Sequence, residues 1–179
     1  MSENNDVYAQ SKSQMRLSER VAAALPGFRG YKEKELRRES DKLVRNNLNL
    51  KLTKDKDDVR VISQKISDKR YMDVLVDMDR LTAKMDRITE KVNHASYGYS
   101  GFFDIVKIKE ENLDRMITFD NQLLDEVNAL TAAIGDLKTQ LLSNNFANLK
   151  DKIQTVSDKF ELLEDTFDNR EQVIQGVTQ

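Results

Sequence analysis

Apolar residues in the later part of the chain recur at alternating spacings of three and four. This spacing aligns side chains along one face of an α-helix, and such a seam packs against other helices. Three blocks follow the pattern, and each predicts one long helix. The seam positions are Val74, Met78, Leu81, Met85, Ile88, Val92 and Ala95 in the first block, Leu113, Met116, Asp120, Leu123, Val127, Leu130, Ile134, Leu137 and Leu141 in the second, and Phe146, Leu149, Ile153, Val156, Phe160, Leu163, Phe167, Arg170 and Ile174 in the third.

The order of the seam positions also predicts how these helices pair. If residues 143–145 form a tight connection, facing seam residues such as Leu123 and Leu163 have numbers with a nearly constant sum. The first and second blocks pass the same test, for example with Met78 facing Val127. We therefore predict an all-α fold: an elongated antiparallel helical bundle with coiled-coil-like packing. It consists of three long heptad-patterned helices of about 30 residues each, plus shorter N-terminal helices.

The N-terminal third of the chain has a weaker pattern. Residues 14–25 predict a short amphipathic helix that ends at Pro26 and Gly27. A second helix is expected from about residue 30 to about Leu52. Its apolar positions recur at every seventh residue, namely Leu36, Leu43 and Leu50.

The charged segment 53–58, with sequence TKDKDD, interrupts this period. Two arrangements follow for residues 31–95. In the first, which the interruption favours, residues 31–52 fold back as a fourth helix, and Asp57 or Asp58 caps the helix that follows. In the second, the chain continues as one helix of about 65 residues. Residues 1–13 are polar and lack periodicity, so we expect a disordered tail there and a single domain over residues 14–179.

Composition excludes several kinds of chemistry. The 179-residue chain has no cysteine, which excludes disulfides, Cys-ligated zinc, iron–sulfur clusters and thiol catalysis. His94 is the only histidine, and no glycine-rich loop ends in Gly-Lys-Ser/Thr. We therefore expect no catalytic residue, no metal site and no cofactor, and His94 is interpreted as a helix-end residue.

Charge is unevenly distributed along the chain. Residues 1–70 carry 17 Lys and Arg against 11 Asp and Glu, whereas residues 71–179 carry 12 against 20. The basic part either lies against the acidic helices of its own chain or contacts an external anionic surface, and the first interpretation is favoured because acidic residues interrupt each basic run. The total charge is acidic, which disfavours a nucleic-acid partner.

Two segments contain candidate interaction residues. The first combines a turn, aromatic residues and a basic helix start, and its candidates are Phe28, Arg29, Tyr31, Lys32, Lys34, Arg37 and Arg38. The second is the connection expected over residues 96–109, with candidates Tyr97, Tyr99, Phe102 and Phe103. The connection either plugs the open end of the core or docks a partner. We favour the plug, because an uncovered aromatic cluster promotes aggregation.

Asp120 and Arg170 are polar residues at seam positions. The predicted pairing places them in neighbouring layers, where they either form a diagonal pair or leave Arg170 reaching to solvent. A polar pair in an apolar seam fixes the register of the helices at a cost in stability.

Two stretches resemble a family of helical prokaryotic proteins that is uncharacterised. They are LPGFRGYKEKELRRE at residues 25–39 and YGYSGFFD at residues 97–104. The resemblance implies a bacterial or archaeal origin, and it implies no activity, cofactor or site residue.

These observations favour a non-enzymatic scaffold or adaptor that binds protein partners. The alternative is a peripheral membrane protein of the envelope-maintenance kind, with residues 15–25 as an interfacial helix and residues 32–45 binding anionic lipid. Association into a homo-oligomer is open. There is no run of about 18 apolar residues and no signal-peptide core, so we expect a cytoplasmic location, with attachment to a membrane surface as the option.

Overall fold

The described part of the structure is entirely helical in its regular elements. The computed structural model describes residues 17–30, 34–99 and 110–175, and these ranges contain no strand. The all-α prediction is therefore confirmed. The helices are residues 17–24 (α1), Lys34–Asp68 (α2), Leu75–Tyr99 (α3), Glu110–Leu142 (α4) and Leu149–Gln175 (α5), with a short 3₁₀ helix at Met72–Val74 before α3.

The three predicted seams form the buried faces of α3, α4 and α5. Every seam residue whose side chain is described is buried, apart from the partly exposed Ala95 and Phe146. The side chains of Leu113 and Ile174 lie outside the described residues. The helices contain 25, 33 and 27 residues, close to the expected length.

The N-terminal segment folds as predicted where it is described. Helix α1 ends before Pro26, and Gly27 has φ +92°, a left-handed conformation that disfavours residues with a Cβ. Val21, Leu25 and Phe28 are buried. The tail predicted over residues 1–13 lies outside the described residues.

The prediction for residues 31–95 is wrong in the position of the turn. Helix α2 runs without interruption through residues 53–58 and contains 35 residues, so it is the longest described helix rather than a shorter N-terminal one. The chain reverses after Asp68, which also excludes a single helix of about 65 residues. Asp57 and Asp58 lie inside α2, and neither caps a following helix.

The buried face of α2 contains two aspartates. For this reason the period of the leucines predicted the wrong residues for the core-facing side of the helix. Leu50 is 72% exposed and Leu43 is partly exposed, so neither of these two every-seventh leucines belongs to the fully buried side of α2. The true seam keeps the spacing of three and four through the charged segment. Its members are Asp41, Val44, Leu48, Leu52, Asp55, Val59, Ile62 and Ile66.

Helix α2 ends in a Schellman motif, in which two backbone N–H groups bond to carbonyls of the last turn. The N–H of Tyr71 donates to Ile66 O (3.2 Å), and the N–H of Arg70 donates to Ser67 O (2.9 Å). Arg70 occupies the left-handed position of the motif, with φ 58°. The motif reverses the chain direction within three residues.

Helix α4 ends in the same motif. The N–H of Asn145 donates to Gln140 O (3.0 Å), and the N–H of Asn144 donates to Leu141 O (3.0 Å). Asn144 takes the left-handed position, with φ 56°. The chain turns at the predicted residues 143–145, but the connection extends to residue 148, because α5 begins only at Leu149.

The chain packs as two compact units. Unit 1 consists of Met1–Asn47, Ala95–Leu124 and Thr166–Gln179, and unit 2 consists of Leu48–His94 and Asp125–Asp165. The N-terminal segment belongs to unit 1, and both Schellman connections belong to unit 2. The single domain over residues 14–179 stays a prediction.

Polar contacts within unit 2 define the relative direction of two helix pairs. Lys84 of α3 contacts Glu161 of α5, Arg87 contacts Glu164, and the residue numbers differ by 77 in both cases. A constant difference means that the two helices run in the same direction. The contacts between α2 and α4 lead to the same conclusion, because Lys51 with Asn128 and Asp55 with Thr131 differ by 77 and 76.

Candidate interaction surface

The two Schellman connections lie side by side at one end of unit 2. The rings of Tyr71 and Phe146, one from each connection, stack with their centroids 4.6 Å apart and their planes 9° from parallel. Stacking of this kind adds about 1 kcal/mol to the burial of the two rings. The stack therefore holds the turn between α2 and α3 against the turn between α4 and α5.

Large apolar side chains that lie within five residues of Tyr71 or Phe146 in the chain are exposed. Met72 is 66% exposed, Val76 57%, Leu142 55% and Tyr71 43%, and Phe146 is half-buried. Single exposed apolar residues are normal on a protein surface, but a group of them at one place marks a binding surface. We call these five residues the apolar tip.

Charged residues border the apolar tip on the turn after α2. Lys69, Arg70 and Asp73 flank Tyr71 and Met72 in the chain, and all three are exposed. In the part of the chain that the structure describes, none of the three forms an ion pair. The border thus presents unpaired charges of both signs beside an apolar surface.

Unit 1 contains a buried ionic network around Arg170. Arg170 Nε donates to Asp120 Oδ1 (2.6 Å) and Nη1 donates to Asp41 Oδ1 (2.8 Å). Asp41 also accepts from Arg45 Nε at its other oxygen (2.8 Å). Arg170, Asp41 and Asp120 are at most 1% exposed, so Arg170 does not reach solvent.

The structure places Asp120 and Arg170 in contact, and sequence reasoning missed their third partner. Asp41 lies on α2, whose core-facing side the leucine period misassigned. Its signal was present in the sequence, because Asp41 lies three residues before Val44 and seven before Leu48. The network is closed to solvent and joins α2, α4 and α5 within unit 1, so we assign it a structural role.

A second buried carboxylate lies in unit 2. Asp55 has no exposed surface, and its Oδ2 accepts a hydrogen bond from Thr131 Oγ1 (2.8 Å). Its Oδ1 is buried without a hydrogen-bond partner. Burial raises the pKa of the Asp55 carboxyl from 3.8 to about 6, because removal from water disfavours the charged form, while the hydrogen bond from Thr131 opposes the rise.

An open polar groove of about 510 Å³ lies between α2 and α3 in unit 2. Its charged lining residues are Arg60 and Asp79. Arg60 is paired with Asp57, and the lining residue Gln64 donates to Asp68. The groove is neither enclosed nor apolar, so it does not resemble a small-molecule pocket.

The structure describes only part of the first predicted interaction segment. Phe28 is 8% exposed and belongs to the core of unit 1, whereas Arg29 is exposed. Tyr31 and Lys32 lie outside the described residues. Helix α2 contains Lys34, Arg37 and Arg38, whose side chains lie outside the description.

The second predicted segment begins later than expected. Helix α3 continues to Tyr99, so Tyr97 and Tyr99 lie in a helix rather than in a connection. Their side chains, and the whole of residues 100–109 with Phe102 and Phe103, lie outside the described residues. Helix α4 begins at Glu110, directly after the predicted connection.

The remaining observations concern membrane spans, metal sites and the single histidine. No described helix is both long enough and apolar enough to cross a membrane. Within the described ranges, no group of three or more acidic or histidine side chains is arranged to hold a metal ion. His94 contacts Glu90 one turn earlier on α3 (3.0 Å).

Comparison with known proteins identifies no relative of this chain. No protein-family model matches the chain, and neither the curated proteins nor the solved structures contain a significant match.

Proposed function

We propose that the protein is a non-enzymatic helical scaffold or adaptor and that the apolar tip is its contact surface for protein. The observation that carries the proposal is the grouping of Tyr71, Met72, Val76 and Leu142 as exposed residues around the Tyr71–Phe146 stack. Leaving such side chains in water is unfavourable by about 25 cal/mol per Å² of apolar surface. A partner that covers them regains this free energy.

The construction of the tip also supports a binding role. Two hydrogen-bonded turns fix the backbone that carries Tyr71 and Phe146, and the ring stack joins these two turns before any partner binds. A surface ordered in advance loses less conformational entropy on binding than a flexible loop does. A scaffold benefits from this arrangement, because its contact surface is already ordered each time a partner binds.

The described polar clusters support a structural rather than a catalytic chemistry. The carboxylates of Asp41 and Asp120 bind Arg170 inside unit 1, and Asp55 binds Thr131 inside unit 2. These groups are closed to a substrate. They therefore support the proposal of a protein without catalysis, and we place it in the cytoplasm as part of the same proposal.

We extend the proposal to the arrangement of the helices. In this arrangement each helix from α2 to α5 runs antiparallel to the next one in the chain. Neighbouring helices pack through coiled-coil-like layers. The parallel direction of α2 with α4 and of α3 with α5 in unit 2 supports this arrangement. Lys56 and Asp86, which form an ion pair, are equidistant from Tyr71, as a hairpin of α2 and α3 requires.

The membrane alternative finds less support. An interfacial helix needs a free apolar face. Val21 and Leu25, the core of the apolar face of residues 15–25, are buried within unit 1. Arg45, at the end of the basic segment, is engaged with Asp41.

The test compares capture of proteins by three forms of the chain. Tagged wild type, Met72→Glu and Leu162→Glu are incubated with lysate of the native cells, and bound proteins are identified by mass spectrometry. Leu162 is a matched control, because it is 55% exposed in unit 2 but lies outside the tip. We expect a partner that wild type and Leu162→Glu retain and Met72→Glu loses. Identical capture by all three forms would contradict the proposal.

A further inference from the structure

The apolar tip combines two properties that restrict what can cover it. Its centre is apolar, with Met72 and Val76 more than half exposed. Its border carries Lys69 and Arg70 before the apolar residues and Asp73 after them, and among the described residues none of these charges is paired. The occupant must therefore supply apolar contacts and charges of both signs.

We infer that the apolar tip binds the same surface of a second copy of this chain, around a two-fold axis. The inference rests on the proposed function and names the partner at that surface. A two-fold interface brings the same patch of both subunits together, so the patch must be complementary to itself. An apolar centre with charges of opposite sign on its two sides meets this requirement.

The order of the charges along the chain specifies the facing pairs. An axis that passes close to the Tyr71–Met72 peptide reverses the chain direction between the two copies. Arg70 of one copy then faces Asp73 of the other, and the same pair forms again on the opposite side of the axis. Arg70 and Asp73 thus each find a partner of opposite sign, and Lys69 lies outside these facing pairs.

A partner surface whose charges all have the same sign is less complementary to this border. A nucleic-acid backbone or an anionic lipid surface attracts Lys69 and Arg70 but repels Asp73. An acidic peptide meets the same repulsion. A second copy provides both signs at the correct spacing because it carries the identical turn.

The size of the apolar tip limits the expected affinity of the dimer. Stable interfaces bury about 800 Å² on each partner, and five apolar side chains at the end of a helix bundle provide less. We expect a dimer with a Kd weaker than about 1 µM, so association depends on protein concentration. Sedimentation velocity between about 5 and about 500 µM covers the range in which such a dimer forms.

The decisive experiment is a charge exchange between two variants. Arg70→Asp alone and Asp73→Arg alone each place like charges opposite one another in the homodimer, and we expect each to weaken association at least tenfold. Mixing the two variants places opposite charges together on both sides of the axis, so the mixture should regain most of the wild-type association. Aspartate tolerates the left-handed backbone at residue 70 (φ 58°) better than most residues, which keeps the turn intact.

Met72→Glu and Leu162→Glu provide a second, independent comparison. Met72→Glu should weaken association at least tenfold, whereas Leu162→Glu should leave it unchanged. All variants are checked for helicity by circular dichroism, and the comparison uses those that match the wild type. Recovery of association in the charge-exchange mixture supports the inference, since a folding defect cannot be repaired by mixing.

Three results would overturn the inference. They are a wild type that stays monomeric over the whole range, association that Met72→Glu does not weaken, and single charge variants whose mixture does not recover. The proposed function is decided separately. If the wild type is monomeric but Met72→Glu still loses a captured protein, the inference fails and the proposed function stands.

Discussion

Arg170 is among the largest fully buried side chains of the described residues, and its charge is balanced inside the protein. Two buried carboxylates, Asp120 and Asp41, accept its hydrogen bonds. Burying three charged groups is costly, and their mutual attraction offsets the cost only while all of them are present. Removal of one member should therefore destabilise unit 1, because the remaining charged groups stay buried.

Replacing Arg170 with leucine should lower the free energy of unfolding by about 3–5 kcal/mol, because the buried carboxylates of Asp120 and Asp41 each lose an ionic partner. Urea unfolding followed by circular dichroism measures the change. Arg60→Leu is the control, since Arg60 forms an exposed pair with Asp57, and it should cost less than about 1 kcal/mol.

A double-mutant cycle separates the pair from its surroundings. Asp120→Ala and Arg170→Ala should be non-additive by about 1–3 kcal/mol, because each variant alone leaves a buried charge that the other removes. Additive effects would contradict the coupling of Asp120 and Arg170.

Asp55, in contrast to the ionic network around Arg170, destabilises the folded state at neutral pH. Its folded pKa of about 6 lies above its ordinary value of 3.8. A carboxyl of this kind stabilises the folded state fully below pH 3.8, and the contribution is lost as the pH rises through about 6. The wild type is therefore destabilised at neutral pH by a charge that it holds in its core.

Asp55→Asn should consequently be more stable than the wild type at about pH 7.5, by roughly 1–3 kcal/mol, and similar to it near pH 4. Asparagine keeps an acceptor for Thr131 and carries no charge. Urea unfolding at both pH values gives the difference. Asp57→Asn, at an exposed position of the same helix, should show no such pH dependence. A difference that does not change with pH would contradict the burial of a charged Asp55.

At the scale of the element, α2 shows where hydrophobic pattern succeeds and where it fails. Seams made of leucine-like residues predicted α3, α4 and α5, because apolar side chains must be buried and their period is that of a helix. In α2 two seam positions are aspartates, while Leu50 is exposed. The hydrophobic pattern assigns charged residues to solvent. Asp41 and Asp55 are tolerated in a core because residues distant in sequence, Arg170 and Thr131, bond to them, and Arg45 adds a local bond to Asp41.

The end of α2 offers a way to strengthen the element. Arg70 adopts φ 58°, which costs a residue with a Cβ more than it costs glycine. Arg70→Gly should therefore raise the free energy of unfolding by roughly 0.5–1 kcal/mol. Asn144→Gly should have a smaller effect, because asparagine tolerates the left-handed region at the equivalent position of α4. Both are measured by urea unfolding in dilute solution, and a loss of stability in Arg70→Gly would contradict the assigned motif.

At the scale of the whole molecule, the ends of the helices are determined by residues close in sequence. The relative directions of the helices are determined by contacts between residues far apart in the chain. The motif at Asn144 lies inside the connection predicted at residues 143–145, although α5 begins only at Leu149, and α4 begins at Glu110, directly after the second predicted connection. The apolar tip could not be predicted from the seams, because Val76 and Leu142 lie outside them. Its meaning depends on the stack of Tyr71 on Phe146, which joins two turns that sequence alone does not bring together.

The direction of α3 relative to α5 in unit 2 is testable by distances between spin labels. The chain has no cysteine, so paired cysteine variants can be labelled without background. Arg80, Asn93 and Asp158 are exposed positions on the two helices. The constant separation of 77 residues predicts that position 80 lies level with position 158, with position 93 displaced along the helix axis.

The pair Arg80→Cys with Asp158→Cys should therefore give a shorter distance than the pair Asn93→Cys with Asp158→Cys. At 1.5 Å per residue, the difference should be about 10 Å or more. Helices that ran in opposite directions through the contact of Arg87 with Glu164 would reverse the order of the two distances. Double electron–electron resonance on both pairs thus distinguishes the two packings, because label flexibility affects both pairs alike whereas direction changes which is shorter.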